Sequence, residues 1–283
     1  MSLPVPQGGF VLVTGSTSGI GLATAIHLAN LGYRVIGSGR TNAKLEQLSA
    51  AAKSANTVVH PILLDVTSEE SIARARERVL EITDNHGLDG LVNNAGYGEA
   101  GAIEEIPIAR LRQQFETNVI GLVAVTQAFL PEMRARHRGR IVNISSVVGK
   151  VSMPLMSAYG ASKHAVEALS DGMRMELGPN GIDVVIVAPG SIESNFGQTL
   201  LSTTDWVAED SPYKEKYARW SKQRMMNGAG RSPMLIAEAV ALAVGAPAPK
   251  PRYAITIESK IVPLLVPVLP KRFLDFVLRR ALM

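Results

Sequence analysis

Phe10-Val11-Leu12-Val13 runs directly into Thr14-Gly15-Ser16-Thr17-Ser18-Gly19-Ile20-Gly21, and an apolar-periodic stretch continues to about Leu31. Few folds accommodate that order. An unbroken apolar quartet suits a parallel strand covered on both faces better than a half-exposed antiparallel one. The glycines that follow let the backbone turn sharply and bring its N–H groups to a ligand at the positive end of the next helix. The spacing is GxxxGxG, not GxGxxG. Glycine also serves ordinary tight turns. Between a buried strand and a helix, however, this segment reads as a pyrophosphate cradle formed by Gly15, Ser16, Ser18, Gly19, Ile20 and Gly21.

The alternation persists along the chain. Further strands are expected at 33–37, 58–64, 88–92, 140–144, 182–187 and 253–257, with helices at 44–53, 110–136, 157–177 and 233–244. Ser68 followed by Glu69 and Glu70 marks another helix start, with a hydroxyl cap and carboxylates at the positive end of the dipole. The pattern specifies an α/β fold, a Rossmann-type doubly wound parallel sheet with right-handed crossovers. No linker divides it. Residues 1–260 read as a single domain in which 191–231, irregular and carrying Trp206, Tyr213, Tyr217 and Trp220, forms a lid over a ligand. Residues 261–283 read as a C-terminal extension ending in a short amphipathic helix.

Charge is unevenly placed. The chain of 283 residues carries +4, which suggests a basic surface and an anionic polymer as partner. The last 34 residues hold seven basic side chains (Lys250, Arg252, Lys260, Lys271, Arg272, Arg279, Arg280) against Glu258 and Asp275, so the tail is +5 and the body −1. No nucleic-acid partner is expected of such a body. The absence of cysteine excludes disulfides and thiolate chemistry. Five scattered histidines (His27, His60, His86, His137, His164) lack metal-ligand spacing, and no metal is expected. Residues 1–9 do not resemble a secretory leader, and no 18-residue apolar run occurs, so a cytoplasmic protein is expected. The tail either docks on protein, its own sheet edge or a second subunit, or lies at the periphery of a membrane.

The end of the second strand selects the nucleotide. A carboxylate there would bond a ribose 2′-hydroxyl. The sequence instead has Ser38-Gly39-Arg40-Thr41, and Arg40 is a solvated arginine or a guanidinium for a 2′-phosphate, so NADP(H) is preferred over NAD(H). Asp65, with Val66 after the third strand, is an ordinary turn aspartate or an acceptor for an adenine amino group.

Beyond the glycine turn, Asn93-Asn94-Ala95-Gly96, Asn118, Ser146, Tyr159-x-x-x-Lys163 and Pro189-Gly190 occur in order. The set resembles the short-chain dehydrogenase/reductase family over roughly residues 8–257. The resemblance implies hydride transfer between a nicotinamide cofactor and a carbonyl or alcohol carbon. In the family, the position of Tyr159 exchanges a proton with the substrate oxygen and that of Lys163 holds the nicotinamide ribose. Ser146 corresponds to the serine that bonds the reacting carbonyl, although Ser145 is adjacent and spacing alone favours Ser146. Asn118 corresponds to a residue supporting a water relay to the lysine. Asn94, Ala95, Gly96, Pro189, Gly190, Ile192 and Ser194 fall on cofactor-binding turns. Ser18 stands where many NADP-preferring members have a basic residue, which leaves Arg40 to select the phosphate.

Tyr159 and Lys163 lie four apart on one helix face, and an ammonium beside the phenol is expected to lower its pKa from about 10. Val151, Met153 and Met156 precede the tyrosine and suggest an apolar substrate wall, or simple packing under the lid. The tail pattern from Arg252-Tyr253 to Arg279-Arg280 resembles the branch with retinol, hydroxysteroid and acyl-dihydroxyacetone-phosphate reducing members. That implies a small-molecule lipophilic carbonyl or alcohol as substrate. Relatives are commonly homodimers or homotetramers through the helices at 110–136 and 157–177. The competing function is a non-catalytic NADP-binding sensor on the same fold; such sensors tend to lose the tyrosine or lysine retained here.

Overall fold

The computed structural model describes residues 5–192, 203–222 and 231–282. Its centre is a seven-stranded, all-parallel sheet in the order β3-β2-β1-β4-β5-β6-β7. The strands are β1 (Phe10–Val13), β2 (Arg34–Gly39), β3 (Val59–Leu63), β4 (Gly90–Asn93), β5 (Gly139–Ile144), β6 (Ile182–Ala188) and β7 (Arg252–Ala254). Side chains alternate across each strand, so the apolar runs feed two cores. Val11 and Val13 join Val35, Val92 and Val142 on one face, under α1 (Gly19–Asn30) and α8 (Met234–Gly245). Phe10 and Leu12 join Ile36, Leu91 and Ile141 on the other, under α3 (Glu69–Ile82) and α5 (Gly121–Ala135). A strand apolar at every position is therefore a strand with helices on both sides, as the sequence implies.

The chain crosses to the opposite half of the sheet between β3 and β4, so β1 and β4 are neighbours whose C-terminal ends open a crevice at the sheet's switch point. The glycine turn and the Asn93–Gly96 segment both lie there. At the opposite end of the sheet, fully buried Arg140 ion-pairs with Asp183 at 3.0 Å and donates to the carbonyls of Ala243 and Ala246. It ties the end of α8 to β5 and β6.

Three boundaries differ from expectation. The helix expected at 110–136 is three pieces, α4 (Ile108–Phe115), a π-helical turn (Glu116–Ile120) and α5. The expected strand at 253–257 stops at Ala254, because Thr256 and Ser259 form a reciprocal capping box that opens α9 (Ile257–Leu265). Pro233 precedes α8 as its cap and is not its first helical residue. The remaining helices are α2 (Asn42–Ser54), α6 (Ser157–Leu177), α7 (Lys214–Lys222) and α10 (Lys271–Leu282).

Candidate active site

Backbone geometry shapes the β1–α1 turn. Gly15 adopts φ +62°, a left-handed conformation that a side chain would strain. A Cβ on Gly21 would collide with the Gly15 carbonyl and the Asn94 carboxamide, so only glycine lets α1 begin against the turn. Thr14 and Asn94 fix the turn to the end of β4. The Thr14 hydroxyl accepts from the Asn94 and Ala95 N–H groups at 3.0 and 2.9 Å, and Asn94 Nδ2 donates to the carbonyls of Thr14 and Gly15 at 2.9 and 3.1 Å. Thr14 thus clamps the cradle, a role that sequence reasoning missed. Ser16 is buried, its hydroxyl donating to the Ser38 carbonyl at 3.3 Å, so it shapes the turn from behind.

A cavity of about 1240 Å³ opens from this cradle. Gly15, Ser18, Gly19, Ile20 and Gly21 line one end, with Arg40, Asp65, Val66, Asn94, Ala95 and Gly96. The Asp65 carboxylate accepts from the Thr67 N–H and hydroxyl at 3.0 and 2.7 Å. Burial would raise its pKa, but the Thr67 bonds and the Arg40 charge outweigh that and hold it below the usual value. Thr41 lies outside the lining; its hydroxyl caps α2 by accepting from the Lys44 N–H. Lys44, four residues beyond Arg40, lines the same end and supplies a second cation that the sequence reading did not name.

The other end holds the hydroxyls. Ser146, Tyr159 and Lys163 line the cavity together. Burial pushes the Tyr159 phenol up to about 12, and a hydrogen bond with Ser146 pulls only partly the other way. The expected lowering of this phenol by Lys163 is therefore corrected. The ammonium lies 5.8 Å from the ring centroid and donates to the Ile144 carbonyl at 2.8 Å, too remote to offset burial. Burial in turn pulls Lys163 down to about 8, opposed by the Glu167 charge. Ser145 also borders the cavity but gives its hydroxyl to buried Glu167 at 2.7 Å, which leaves Ser146 as the serine hydrogen-bonded to the tyrosine.

Asn118 is buried in the π-helical turn, outside the cavity lining. Its amide donates to the Tyr97 carbonyl and the Ser162 hydroxyl at 2.9 and 3.1 Å, and its oxygen accepts from the Tyr97 N–H at 3.1 Å. A Cβ on Gly96 would meet Asn118 Oδ1 at 2.9 Å and Lys163 Nζ at 3.8 Å, so both side chains border the same glycine. Pro189, Gly190 and Ile192 line the cavity beyond β6, and Ser194 falls outside the described residues.

Val151 and Met153 line the cavity, and Met153 also packs on the cluster formed by Ala100, Ala102, Leu155 and Tyr159. Much of the 191–231 segment lies outside the described residues. Its described part, 203–222, rests on the loop at 97–106 through Thr203 to Ala100, Tyr217 to Ala102 and Ser211 to Glu105. Of the described side chains at 203–219 none lines the cavity, and Tyr213 and Tyr217 pack on the cluster that contains Tyr159. Among the described residues, α9 and α10 supply an apolar wall through Val262, Leu265, Leu269, Phe273 and Leu278. Glu258 seats this extension on the β6 turn by accepting from the Ser191 N–H at 3.0 Å.

The cavity therefore has a glycine-and-amide cradle at a helix N-terminus, cations at one edge, and a serine–tyrosine–lysine group at the far end. These features fit a nicotinamide dinucleotide: a Cβ at Gly21 would close the cradle, and Arg40 and Lys44 line its edge. The family model for short chain dehydrogenase matches residues 9–205. The chain is 40% identical over 220 residues to the uncharacterized oxidoreductase YusZ of Bacillus subtilis, covering 77% of each chain. It is 32% identical over 272 residues, 94% of each chain, to an NADPH-dependent 3-dehydrocapnine reductase of Ornithobacterium rhinotracheale. The crystal structure of a short-chain dehydrogenase from Streptomyces avermitilis superposes with a TM-score of 0.77 at 35% identity, covering 95% of this chain and 93% of that one.

Proposed function

The chain belongs to the short-chain dehydrogenase family, and on that premise we propose that it is an NADP(H)-dependent reductase of lipophilic ketones, working in reverse on the corresponding alcohols. NADP(H), when bound, supplies or accepts the hydride. Gly15, Ser18 to Gly21 and Asn94 to Gly96 would hold its pyrophosphate and ribose region, Arg40 and Lys44 its 2′-phosphate, and Pro189 to Ile192 its nicotinamide end. The printed name of the Ornithobacterium relative supports NADPH as the cofactor.

The observation that carries the catalytic reading is the hydrogen bond between Ser146 and Tyr159 inside the cavity, with buried Lys163 beside them. Two hydroxyls side by side can donate to one carbonyl oxygen. A phenol near 12 stays protonated through the neutral range, which suits an acid for ketone reduction. As negative charge grows on the substrate oxygen, Tyr159 gives up its proton and Ser146 stabilises the same oxygen. With a pKa near 8, Lys163 is mostly charged at neutral pH, and its ammonium would hold the nicotinamide ribose, the role that the family resemblance implies. In alcohol oxidation the tyrosine must first lose its proton, so the oxidative rate rises with pH while the reductive rate does not. Asn118 positions the 97 backbone and Ser162 beneath this group.

The apolar lining that Val151, Met153, Val262 and Leu265 share with Tyr159 supports a bulky lipophilic substrate. A homo-oligomer through α4–α5 and α6 is consistent with exposed Ile120 and Met175 on those helices. The test is NADPH oxidation across ketones graded by size and polarity. Turnover should rise with apolar bulk; exclusive turnover of small polar ketones would overturn the substrate class.

A further inference from the structure

The C-terminal extension is apolar on two sides. Its inner side, including Val262, Val266, Leu269 and Leu274, lines the catalytic cavity. Its outer side is also apolar. Of the 18 large hydrophobic side chains exposed among the described residues, eight fall between Ile257 and Val277. Leu264, Val268 and Phe276 are 72%, 79% and 60% exposed, and none of them lines the cavity. A helix that only seals a cavity needs one apolar stripe, with polar residues outward.

Charge identifies what the second side meets. Lys260, Lys271, Arg272, Arg279 and Arg280 are exposed around these apolar residues, and Asp275 is the one exposed acid between Lys260 and Arg280. The body of the protein carries −1, whereas the last 34 residues carry +5. Apolar side chains ringed by cations fit a surface of hydrocarbon beneath negative headgroups. A second copy of the chain would present the same positive charge and repel. Among the described residues no helix is long and apolar enough to cross a membrane, so the contact is peripheral.

We infer that α9 and α10 dock on an anionic lipid bilayer, their outer apolar residues entering the interface and their inner residues walling the catalytic cavity. Insofar as the cavity takes lipophilic substrates, which rests on the function proposed above, the same two helices place the site where such molecules dissolve. The docking itself stands on charge and exposure alone.

The test uses the full chain with phosphatidylcholine vesicles prepared with and without phosphatidylglycerol. The protein should sediment with the anionic vesicles, and far less with the neutral ones or at high salt, since each basic residue near an anionic surface strengthens binding roughly fivefold. The variant carrying Leu264→Glu, Val268→Glu and Phe276→Glu should lose at least about tenfold in vesicle partitioning. It should retain wild-type turnover of a small water-soluble ketone, because these side chains lie outside the cavity. Wild-type protein that stays in the supernatant, or a variant that partitions equally well, overturns the inference. So does a change from dimer to monomer in the variant, read by sedimentation, when the wild type ignores vesicles, because a second copy then covers the patch. Absent ketone reduction alongside intact vesicle binding would count against the proposed activity and leave the docking surface standing.

Discussion

Replacing Arg40 by alanine separates the two nicotinamide cofactors, which differ only by a 2′-phosphate. Arg40 lines the cavity beside Lys44, and the neighbouring Asp65 carboxyl is held below its usual value partly by the Arg40 charge. A charge-assisted hydrogen bond contributes about 1.5–3 kcal/mol, and about 1.4 kcal/mol corresponds to tenfold in affinity. Arg40→Ala should therefore raise KM for NADPH by roughly 10- to 100-fold and leave KM for NADH nearly unchanged. Lys44 is solvated and acts as a point charge worth about 1 kcal/mol at contact in water, so Lys44→Ala should cost roughly fivefold, again with NADPH alone. Initial rates with each cofactor at saturating ketone give these constants directly. Added salt should weaken NADPH binding in the wild type and have much less effect in Arg40→Ala. If Arg40→Ala changes both cofactors equally, or if the wild type prefers NADH, the phosphate assignment is wrong.

Two further perturbations test the cradle and the buried charge. Gly21→Ala should abolish measurable NADPH binding, followed by quenching or enhancement of cofactor fluorescence, because its methyl group meets the Gly15 carbonyl and the Asn94 carboxamide; binding at wild-type strength would show that the turn yields. Burial lowers Lys163 from 10.5 to about 8, so the unfolded chain binds more protons between those values and this residue makes stability rise with pH from about 8 towards 10.5. The stability difference between wild type and Lys163→Met, from denaturant unfolding without cofactor, should change over that window and be flat below it; a difference independent of pH contradicts a depressed lysine.

The sheet was legible because buried parallel strands such as Phe10–Val13 and Ile182–Ala188 are apolar at successive positions, a pattern that needs cover on both faces. The Tyr159–Lys163 spacing, four along one helix, was legible, but the electrostatics of the pair were not. Which carbonyl receives the Lys163 ammonium depends on where β5 ends, and that carbonyl belongs to Ile144, 19 residues away. The choice of Ser146 over Ser145 rested on spacing alone; in the structure the difference is Glu167, which takes the Ser145 hydroxyl. Least legible was the part of the cavity wall that α9 supplies. Pro263 interrupts the helical pattern of 257–265, and the Thr256–Ser259 box has serine where the usual signature has Glu or Gln, so α9 was not anticipated. The expected lid at 191–231 falls in large part outside the described residues, and its described part packs on the 97–106 loop.

The central claim is that Tyr159 donates the proton within a cavity that binds its cofactor independently of that hydroxyl. Tyr159→Phe removes one oxygen and preserves the ring. Single-turnover reduction of a ketone by the variant, with NADPH affinity measured in the same preparation, tests this most directly. The account requires turnover to fall by about 10² to 10⁴ while NADPH binding stays near the wild-type value. Turnover comparable to the wild type, with the cofactor bound, would contradict it.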